Sequence, residues 1–168
     1  HFQSYILAEE SIEEELIGEI KKSVEAFYSG DTRDNPDYTR IVNSRHYERV
    51  SKLIEGQEVA FGGGTRAEDC YIEPTVLRNV SPDSPVMQSE IFGPVLPVLR
   101  VKDVDEAIRF VNRGEKPLAL YLFSSDSSAE ERVLGSTSSG GVTINGTIMH
   151  IANSKMPFGG VGPSGMGA

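Results

Sequence analysis

The second half of the chain alternates between apolar strand patterns and amphipathic helix patterns. Strands are predicted at 95–101, 118–123 and 141–144, and helices capped by Asp103 and Ser128 separate them. A strand, a helix and a following strand form a right-handed crossover, which lays the two strands side by side in parallel. We therefore predict two crossovers on one parallel sheet. The continuous apolar run 118–123 is typical of a strand that is covered on both faces.

The first half of the chain begins with a strand and a helix. A short strand is predicted at 5–7, and Ser11 with Glu14 matches a capping box, in which the two side chains bind free amides at a helix start. The three consecutive glutamates 13–15 are interpreted as the solvated start of this helix. Apolar residues then recur at helical spacing along one stripe: Ile12, Leu16, Ile20, Val24 and Phe27.

A second helix is predicted at 44–55, with Gly56 as its stop. Its inner face is predicted to consist of Tyr47, Val50, Leu53 and Ile54. A strand follows at 58–61. The segment 71–80 is extended, but Pro74 lacks an amide hydrogen and restricts this segment to an edge or irregular strand. Together these patterns predict an α/β protein with three α/β/α layers around an open, mostly parallel sheet.

Composition excludes several classes of protein. The length of 168 residues predicts one domain. A net charge of −9 argues against a nucleic-acid partner, because phosphate contacts need Lys and Arg. One cysteine excludes an internal disulfide, and three histidines far apart in sequence form no visible metal-ligand cluster. No apolar run approaches the roughly 20 residues that span a bilayer, so a soluble, cytoplasmic protein is expected.

Two glycine-rich stretches and the single cysteine carry no recognisable chemistry of their own. The stretches 62–65 and 159–162 lack the glycine frame of a dinucleotide-binding loop, and both are interpreted as turns. Glu68 and Asp69 precede Cys70 and would disfavour its thiolate, because one negative charge opposes the formation of another nearby. Cys70 is therefore interpreted as an ordinary cysteine at a strand edge. His46 and His150 are interpreted as structural.

Two segments depart from ordinary turn patterns. The segment 88–94 places a carboxylate, an aromatic ring and a Gly-Pro turn directly before an apolar strand. It is compatible with a structural turn or with a binding site at a strand end. The segment 156–167 is so rich in glycine that it is typical of close backbone approach or of functional mobility.

Those two segments resemble the aldehyde dehydrogenase superfamily. The matching stretches are Glu-Ile-Phe-Gly-Pro-Val at 90–95, Pro-Phe-Gly-Gly at 157–160 and Ser-Gly-Met-Gly at 164–167. Other stretches are similar to the class 3 branch, which oxidises fatty and aromatic aldehydes: 40–43 with 45–46, 53–57, 115–121 and 137–142. The resemblance covers the chain from Tyr5 to Ala168 and identifies it as the C-terminal part of a catalytic domain.

The resemblance implies a longer parent protein, whose subunit has an NAD domain, a catalytic domain and an oligomerisation arm. In this family a cysteine attacks the aldehyde, a hydride passes to NAD or NADP, and water activated by a glutamate releases the acid. Both catalytic side chains would lie upstream of His1, so no catalytic residue is assigned here and the isolated chain is expected to be inactive. Residues 1–4 depart from the family pattern and are interpreted as a linker remnant. Residues 5–168 are interpreted as the partial catalytic domain, without the NAD domain and the oligomerisation arm.

The matched positions also imply binding roles. Glu90 would bind the ribose hydroxyls next to the nicotinamide, and Phe92 would pack near the nicotinamide ring. Ile148, Ile151 and Phe158 would line an apolar tunnel for the aldehyde substrate. The cofactor would be NAD or NADP, bound mainly by a domain outside this chain, and the parent would be a homodimer. No metal site is implied.

Asn145 and His150 match family positions near the site, but the resemblance assigns them no role. Gly146 stands where the family often has an acidic residue, and 152–155 is more polar than the family pattern, so the fatty-chain preference is left open. Two alternatives also stay open. One is a non-catalytic binding or assembly module that retains the fold, and the other is independent catalysis by Cys70.

Overall fold

A computed structural model describes residues 4–152 and 159–166. The chain divides into two compact units, one ending at Val101 and the other beginning at Lys102. The fold is mixed α/β, and most of its strand pairs are parallel, as predicted. No helix among the described residues is long and apolar enough to cross a membrane.

The first unit contains a four-stranded sheet with two helices, and a small two-stranded ribbon. In chain order its elements are β1 (Ile6–Glu9), α1 (Glu13–Phe27), α2 (Ser44–Ile54), β2 (Glu58–Phe61), β3 (Thr65–Arg66), β4 (Tyr71–Ile72), β5 (Thr75–Arg78) and β6 (Val95–Val101). The sheet order is β1-β6-β5-β2, with β1 and β5 parallel to β6 and β2 antiparallel to β5. The ribbon pairs β3 with β4 in antiparallel fashion.

The segment 71–80, predicted to be an edge or irregular strand, is interrupted at Pro74 into β4 and β5, but its second part is not an edge strand. β5 lies between β6 and β2, and Thr75, Val76 and Leu77 are all buried. Pro74 comes just before β5 rather than within it, so the ladder requires no amide hydrogen from it. The amide of Thr75 donates to the Pro94 carbonyl at 2.8 Å, which joins the starts of β5 and β6.

Helix α1 differs from its prediction because a glutamate points into the protein. The capping box is absent: Ile12 precedes the helix without a side-chain hydrogen bond, and the Ser11 hydroxyl donates to Glu9 at 3.3 Å. Glu13, expected in solvent, is fully buried against Arg100 of β6. This orientation turns Ile17 into the core, a residue outside the predicted stripe, and leaves Phe27 81% exposed.

Helix α2 confirms its prediction closely. The Asn43 side chain accepts a hydrogen bond from the His46 amide at 2.8 Å, which satisfies one of the free donors at the helix start. Tyr47, Val50 and Leu53 are buried, as the apolar spacing predicted. Gly56 follows the helix with φ of +73°, a backbone conformation that glycine adopts at little cost.

The second unit is built on a pair of parallel strands. In chain order its elements are α3 (Val104–Arg113), β7 (Ala119–Leu122), α4 (Ser127–Ser136), β8 (Gly141–Ile144) and the short α5 (Met149–Ala152). β7 and β8 run parallel and are joined through α4, which confirms the second predicted crossover. The first is not confirmed as a strand pair, because among the described residues β6 pairs with β1 and β5 and β7 pairs with β8.

Caps define the two longer helices of this unit. The Asp103 carboxylate accepts from the Glu106 amide at 2.8 Å, as predicted for the start of α3. Helix α4 is capped by Asp126, whose carboxylate accepts from the Ser128 amide at 2.9 Å. The predicted cap Ser128 is therefore inside the helix. An ion pair of 2.9 Å between Arg132 and Asp105 connects the two helices.

Candidate active site

Glu90 and Phe92 lie in the loop that leads into β6. Ile91, between them, is buried, whereas the Phe92 side chain is 69% exposed. The φ of Phe92 is +48°, in the left-handed region that aromatic residues rarely adopt. Glu90 is half-buried, and its carboxylate has no hydrogen-bond or ion-pair partner among the described residues. The loop thus presents a carboxylate that no described residue binds and, two residues later, an exposed aromatic ring.

Two side chains of α2 bind the backbone of this loop. The guanidinium of Arg49 donates to the Glu90 carbonyl at 3.2 Å and also to the Ile91 carbonyl. The Nε2 of His46 lies 3.0 Å from the Phe92 carbonyl oxygen. We call Arg49 and His46 together the α2 clamp. Its three acceptors are three consecutive carbonyls, so the loop is fixed by its backbone.

A cleft of about 670 Å³ opens beside Phe92. The His46 and Phe92 rings meet edge-on across it, with centroids 6.5 Å apart and an angle of 63° between their planes. Its lining consists of Val42, Asn43, Arg45, His46, Arg49 and Phe92. Three of these six side chains are basic, although the chain as a whole is acidic.

In the second unit, two of the predicted substrate residues, Ile148 and Ile151, lie in the loop and short helix that follow the carboxyl end of β8. In open parallel sheets, ligands bind in the loops at this edge. The side-chain amide of Asn145, directly after β8, bonds both backbone groups of Ser124, two residues after the end of β7, at 2.9 Å each. The backbone amide of Asn145 also donates to the Leu122 carbonyl at 2.7 Å. These bonds tie the two loops together where each strand ends.

Ile148 and Ile151 follow in the loop and helix after β8, and both are more than half exposed. Ile148 has φ of +65°, which for a β-branched residue is a strained conformation. His150 of α5 packs on β8, with its Nδ1 3.5 Å from the Thr143 hydroxyl and its ring 5.8 Å from that of Tyr121. Phe158, the third predicted substrate residue, lies outside the described residues.

The glycine-rich stretch at 159–166 contacts the start of β8 through backbone atoms. A Cβ on Gly140 would lie 2.4 Å from the Gly159 carbonyl oxygen and 2.5 Å from that of Leu118. The Ser164 hydroxyl donates to the Val161 carbonyl and accepts from the Val161 amide, both at 3.0 Å. Close backbone approach, one of the two readings offered by the glycine content, therefore describes this part of the segment.

Cys70 lies beside a cluster of paired charges. Arg66 donates to both oxygens of Asp69 at 2.8 Å, and Arg40 donates to the same carboxylate at 2.8 Å. These bonds, from Arg66 first and Arg40 second, hold the pKa of Asp69 well below its usual range. Both guanidinium groups also face the Tyr71 ring, at 4.9 Å for Arg40 and 5.7 Å for Arg66. The Asp69 charge expected to disfavour the Cys70 thiolate is thus paired with Arg66, three residues earlier, and with Arg40, 29 residues earlier.

The sequence patterns did not indicate Arg49 or the pairing of Asn145 with Ser124. Arg49 lies one helical turn after His46, so the predicted helix places both on one face. The carbonyls that they bind are 41 to 46 residues away, and no local pattern points to them. Asn145 matched a family position, but only the structure gives it partners.

Parallel strands joined through a helix, with loops at their carboxyl ends, are the architecture of α/β proteins that bind ligands at this edge. The family model for the aldehyde dehydrogenase family matches residues 2–168. The chain belongs to the aldehyde dehydrogenase family. This confirms the resemblance found in the sequence.

Individual relatives point to the class 3 branch. The rat aldehyde dehydrogenase family 3 member A2 is 53% identical over 164 residues, which cover 98% of the chain and 34% of that relative. The bovine dimeric, NADP-preferring aldehyde dehydrogenase is 50% identical over 98% of the chain and 69% of its own length. The solved structure of substrate-bound Staphylococcus aureus AldH superposes with a TM-score of 0.92 at 48% identity, over 97% of the chain and 36% of that protein. The chain thus spans about a third of the rat and staphylococcal proteins.

Proposed function

We propose that the chain is part of the catalytic domain of an NAD(P)-dependent aldehyde dehydrogenase. The parent protein would oxidise medium-chain, long-chain or aromatic aldehydes to carboxylic acids. The observation that carries the proposal is the loop before β6, in which Glu90 offers a carboxylate without a partner in the described part of the chain and Phe92 offers an exposed ring on a fixed backbone.

This loop has the chemistry that the nicotinamide half of the cofactor needs. A half-buried carboxylate without a partner among the described residues is a strong acceptor for the two ribose hydroxyls. An exposed aromatic ring offers an apolar surface against which the nicotinamide can pack. Glu90 and Phe92 would therefore bind and orient the cofactor, which supplies a hydride acceptor when it is bound. The rest of the cofactor would lie against a domain outside this chain.

The covalent chemistry belongs to residues outside this chain. A cysteine upstream would attack the aldehyde to give a thiohemiacetal, which becomes a thioester when the hydride leaves. A glutamate, also upstream, would activate the water that hydrolyses the thioester. Cys70 takes no part, and the isolated chain would be inactive because it lacks both groups.

Exposed apolar side chains support an apolar aldehyde as the substrate. Ile148 and Ile151 are uncovered at the strand ends, and Phe158 would complete the tunnel wall. Burial of such side chains against a hydrocarbon chain contributes about 25 cal/mol per Å². A staphylococcal relative at 49% identity is named for a diaponeurosporen aldehyde. The bovine relative is named as dimeric and NADP-preferring, which supports a homodimeric parent that uses NADP or NAD. The catalytic part of the parent is proposed to be cytoplasmic.

The test uses the full-length parent protein with NAD⁺ or NADP⁺ and three aldehydes: decanal, benzaldehyde and propanal. Reduction of the cofactor with decanal or benzaldehyde is expected, and its absence with all three would refute the proposal. Glu90→Gln should lower kcat/KM for the cofactor about 10- to 100-fold, because a hydrogen bond to a charged group contributes about 1.5–3 kcal/mol. Glu68→Gln, at an exposed glutamate, is the matched control.

The coding sequence upstream of His1 separates this function from a non-catalytic module. A Gly-Gln-x-Cys segment directly upstream supports the enzyme, since it supplies the nucleophile. A genuine start codon at that place would favour the binding or assembly module.

A further inference from the structure

The α2 clamp joins one turn of helix to three consecutive carbonyls. Arg49 and His46 are three residues apart on α2, so their side chains extend from the same face. Asn43 fixes the start of that helix through the His46 amide. The guanidinium fork spans the carbonyls of Glu90 and Ile91, and the imidazole reaches that of Phe92. Every carbonyl from 90 to 92 therefore accepts a bond from α2.

The hydrogen bonds within the clamp select one form of His46. A proton on Nε2 can be donated to the Phe92 carbonyl at 3.0 Å, and the bare Nδ1 then accepts from Arg49 Nε at 3.4 Å. The other neutral tautomer satisfies only the 3.3 Å contact between Arg49 Nη2 and Nε2 and leaves the carbonyl without a donor. The Nε2-protonated imidazole satisfies two of the three contacts, so we assign that tautomer.

The clamp acts on a backbone that would otherwise leave this conformation. Left-handed backbone at an aromatic residue persists only where the surroundings determine it several times over. Here Ile91 is buried on one side of Phe92. On the other side Gly93 lies so close to α2 that a Cβ would be 2.8 Å from Val50 Cγ1. The clamp adds hydrogen bonds to the three carbonyls, which also hold the backbone in place. The Phe92 ring stays exposed and can contact a ligand.

We propose that Arg49 and His46 are positioning residues for the cofactor: they fix the backbone from Glu90 to Phe92 and so orient the carboxylate and the ring that would contact the nicotinamide half. The inference rests on the proposed function, since it concerns the same loop. It requires neither clamp residue to touch the cofactor or the aldehyde. Loss of the clamp should therefore weaken cofactor binding and leave the affinity for the aldehyde unchanged.

The experiment uses the full-length parent protein with Arg49→Met as the main variant. Lys52→Met is the matched control, because it removes a positive charge from an exposed position on the same helix. Three quantities are measured: amide hydrogen exchange of the peptide covering 88–95, the Kd for NADH by fluorescence, and the KM values for cofactor and aldehyde. Arg49→Met should speed exchange in this peptide and raise the NADH Kd about tenfold, as loss of bonds from a charged donor predicts. Lys52→Met should change none of them.

A second pair of variants tests the imidazole. His46→Gln keeps an N–H donor near the position of Nε2 and should retain cofactor binding within about threefold, whereas His46→Leu should weaken it. Because the two clamp residues bond each other, the double variant with Arg49→Met should lose less than the sum of the single changes.

The outcomes separate this inference from the proposed function. Unchanged exchange at 88–95, or an unchanged NADH Kd in Arg49→Met, would overturn the positioning role even in an active enzyme. Equal increases in the KM values for the cofactor and the aldehyde would overturn it too, since they would indicate a general structural effect. If the parent binds NADH but oxidises no aldehyde, the proposed function fails, and exchange and NADH binding still decide the role of the clamp. If the parent does not bind NADH, both fail.

Discussion

Asn145 and Ser124 are bonded to each other like two residues of adjacent strands, although neither lies in a strand. The Asn145 side-chain oxygen accepts from the Ser124 amide, and its nitrogen donates to the Ser124 carbonyl, each at 2.9 Å. The side chain thereby extends the ladder of β7 and β8 beyond Leu122 and Ile144. Asn145 itself has φ of +52°, which asparagine tolerates better than other side chains do.

Replacement of Asn145 should loosen the loop that carries Ile148. Asn145→Ala removes both bonds and places a less tolerant residue at positive φ, so the free energy of unfolding should fall by about 1–3 kcal/mol. Asn145→Gly also removes the bonds, but glycine adopts positive φ readily, so this variant should lose less free energy of unfolding than Asn145→Ala. Urea unfolding of the chain measures both. Asn112→Ala, which removes one bond of 2.8 Å to Ser136, gives the single-bond reference. Equal losses in the alanine and glycine variants would show that φ contributes nothing.

The buried carboxylate of Glu13 should be among the most sensitive side chains in the first unit. Arg100 binds its Oε2 with two nitrogens, one of them at 2.8 Å, and Glu13 itself is fully buried. Glu13→Ala should destabilise the chain by about 1–3 kcal/mol, because it removes the charged hydrogen bonds from Arg100 and leaves a cavity beside α1. The adjacent Glu14 is 73% exposed and pairs with Arg78 at the surface. Glu14→Ala should cost less than 1 kcal/mol. Similar urea midpoints for the two variants would contradict this assignment.

Local patterns predicted the elements whose determinants are close together in sequence. The boundaries of α2 and β6 agree with their predictions because the helix has a nearby cap and regular apolar spacing, and the strand is apolar except at Arg100. The prediction failed where the determinant is distant. Glu13 is buried because Arg100, 87 residues later, lies opposite it, and a run of three glutamates otherwise indicates solvent.

In the candidate site, too, sequence predicted what depends on nearby residues and missed what depends on distant ones. The resemblance assigned Glu90, Phe92, Ile148 and Ile151. The structure places the first two together in one loop, Ile148 in the loop after β8, and Ile151 in α5. The conformation of that loop depends on Arg49, 41 residues before Glu90. Their spacing placed Arg49 and His46 on one helix face, but it could not predict that this face binds the carbonyls of residues 90–92.

Close backbone approach at Gly140 predicts a large difference between two glycine substitutions. A Cβ at Gly140 would overlap the carbonyl oxygens of Gly159 and Leu118 at 2.4 and 2.5 Å, both of them backbone atoms that cannot rotate away. Gly140→Ala should therefore destabilise the second unit by more than 1 kcal/mol and speed amide exchange in β8. Gly18, within α1, has nothing within 4 Å of its Cβ position. Gly18→Ala should stabilise the chain by up to about 1 kcal/mol, because alanine favours helix. A Gly140→Ala variant that unfolds at the wild-type temperature or above it would refute the close approach.

The Asp69 cluster should make the first unit sensitive to acid. Bonds from Arg66, and then Arg40, hold the pKa of the folded carboxyl below its ordinary value of 3.8. In the unfolded chain the group takes up a proton near that ordinary value, whereas the folded chain resists protonation until lower pH. The stabilisation is thus complete above about pH 5, begins to fall as the pH drops through the unfolded value, and is lost below the folded pKa.

Asp69→Asn tests this pH dependence, because asparagine has no proton to gain. The variant should be less stable than the wild type at pH 6, and its urea midpoint should fall less between pH 6 and pH 3. Asp37→Asn, at an exposed aspartate outside the cluster, should keep the steep fall of the wild type. An equally steep fall in Asp69→Asn would show that other carboxylates dominate acid unfolding and that the bonds from Arg66 and Arg40 contribute little to stability.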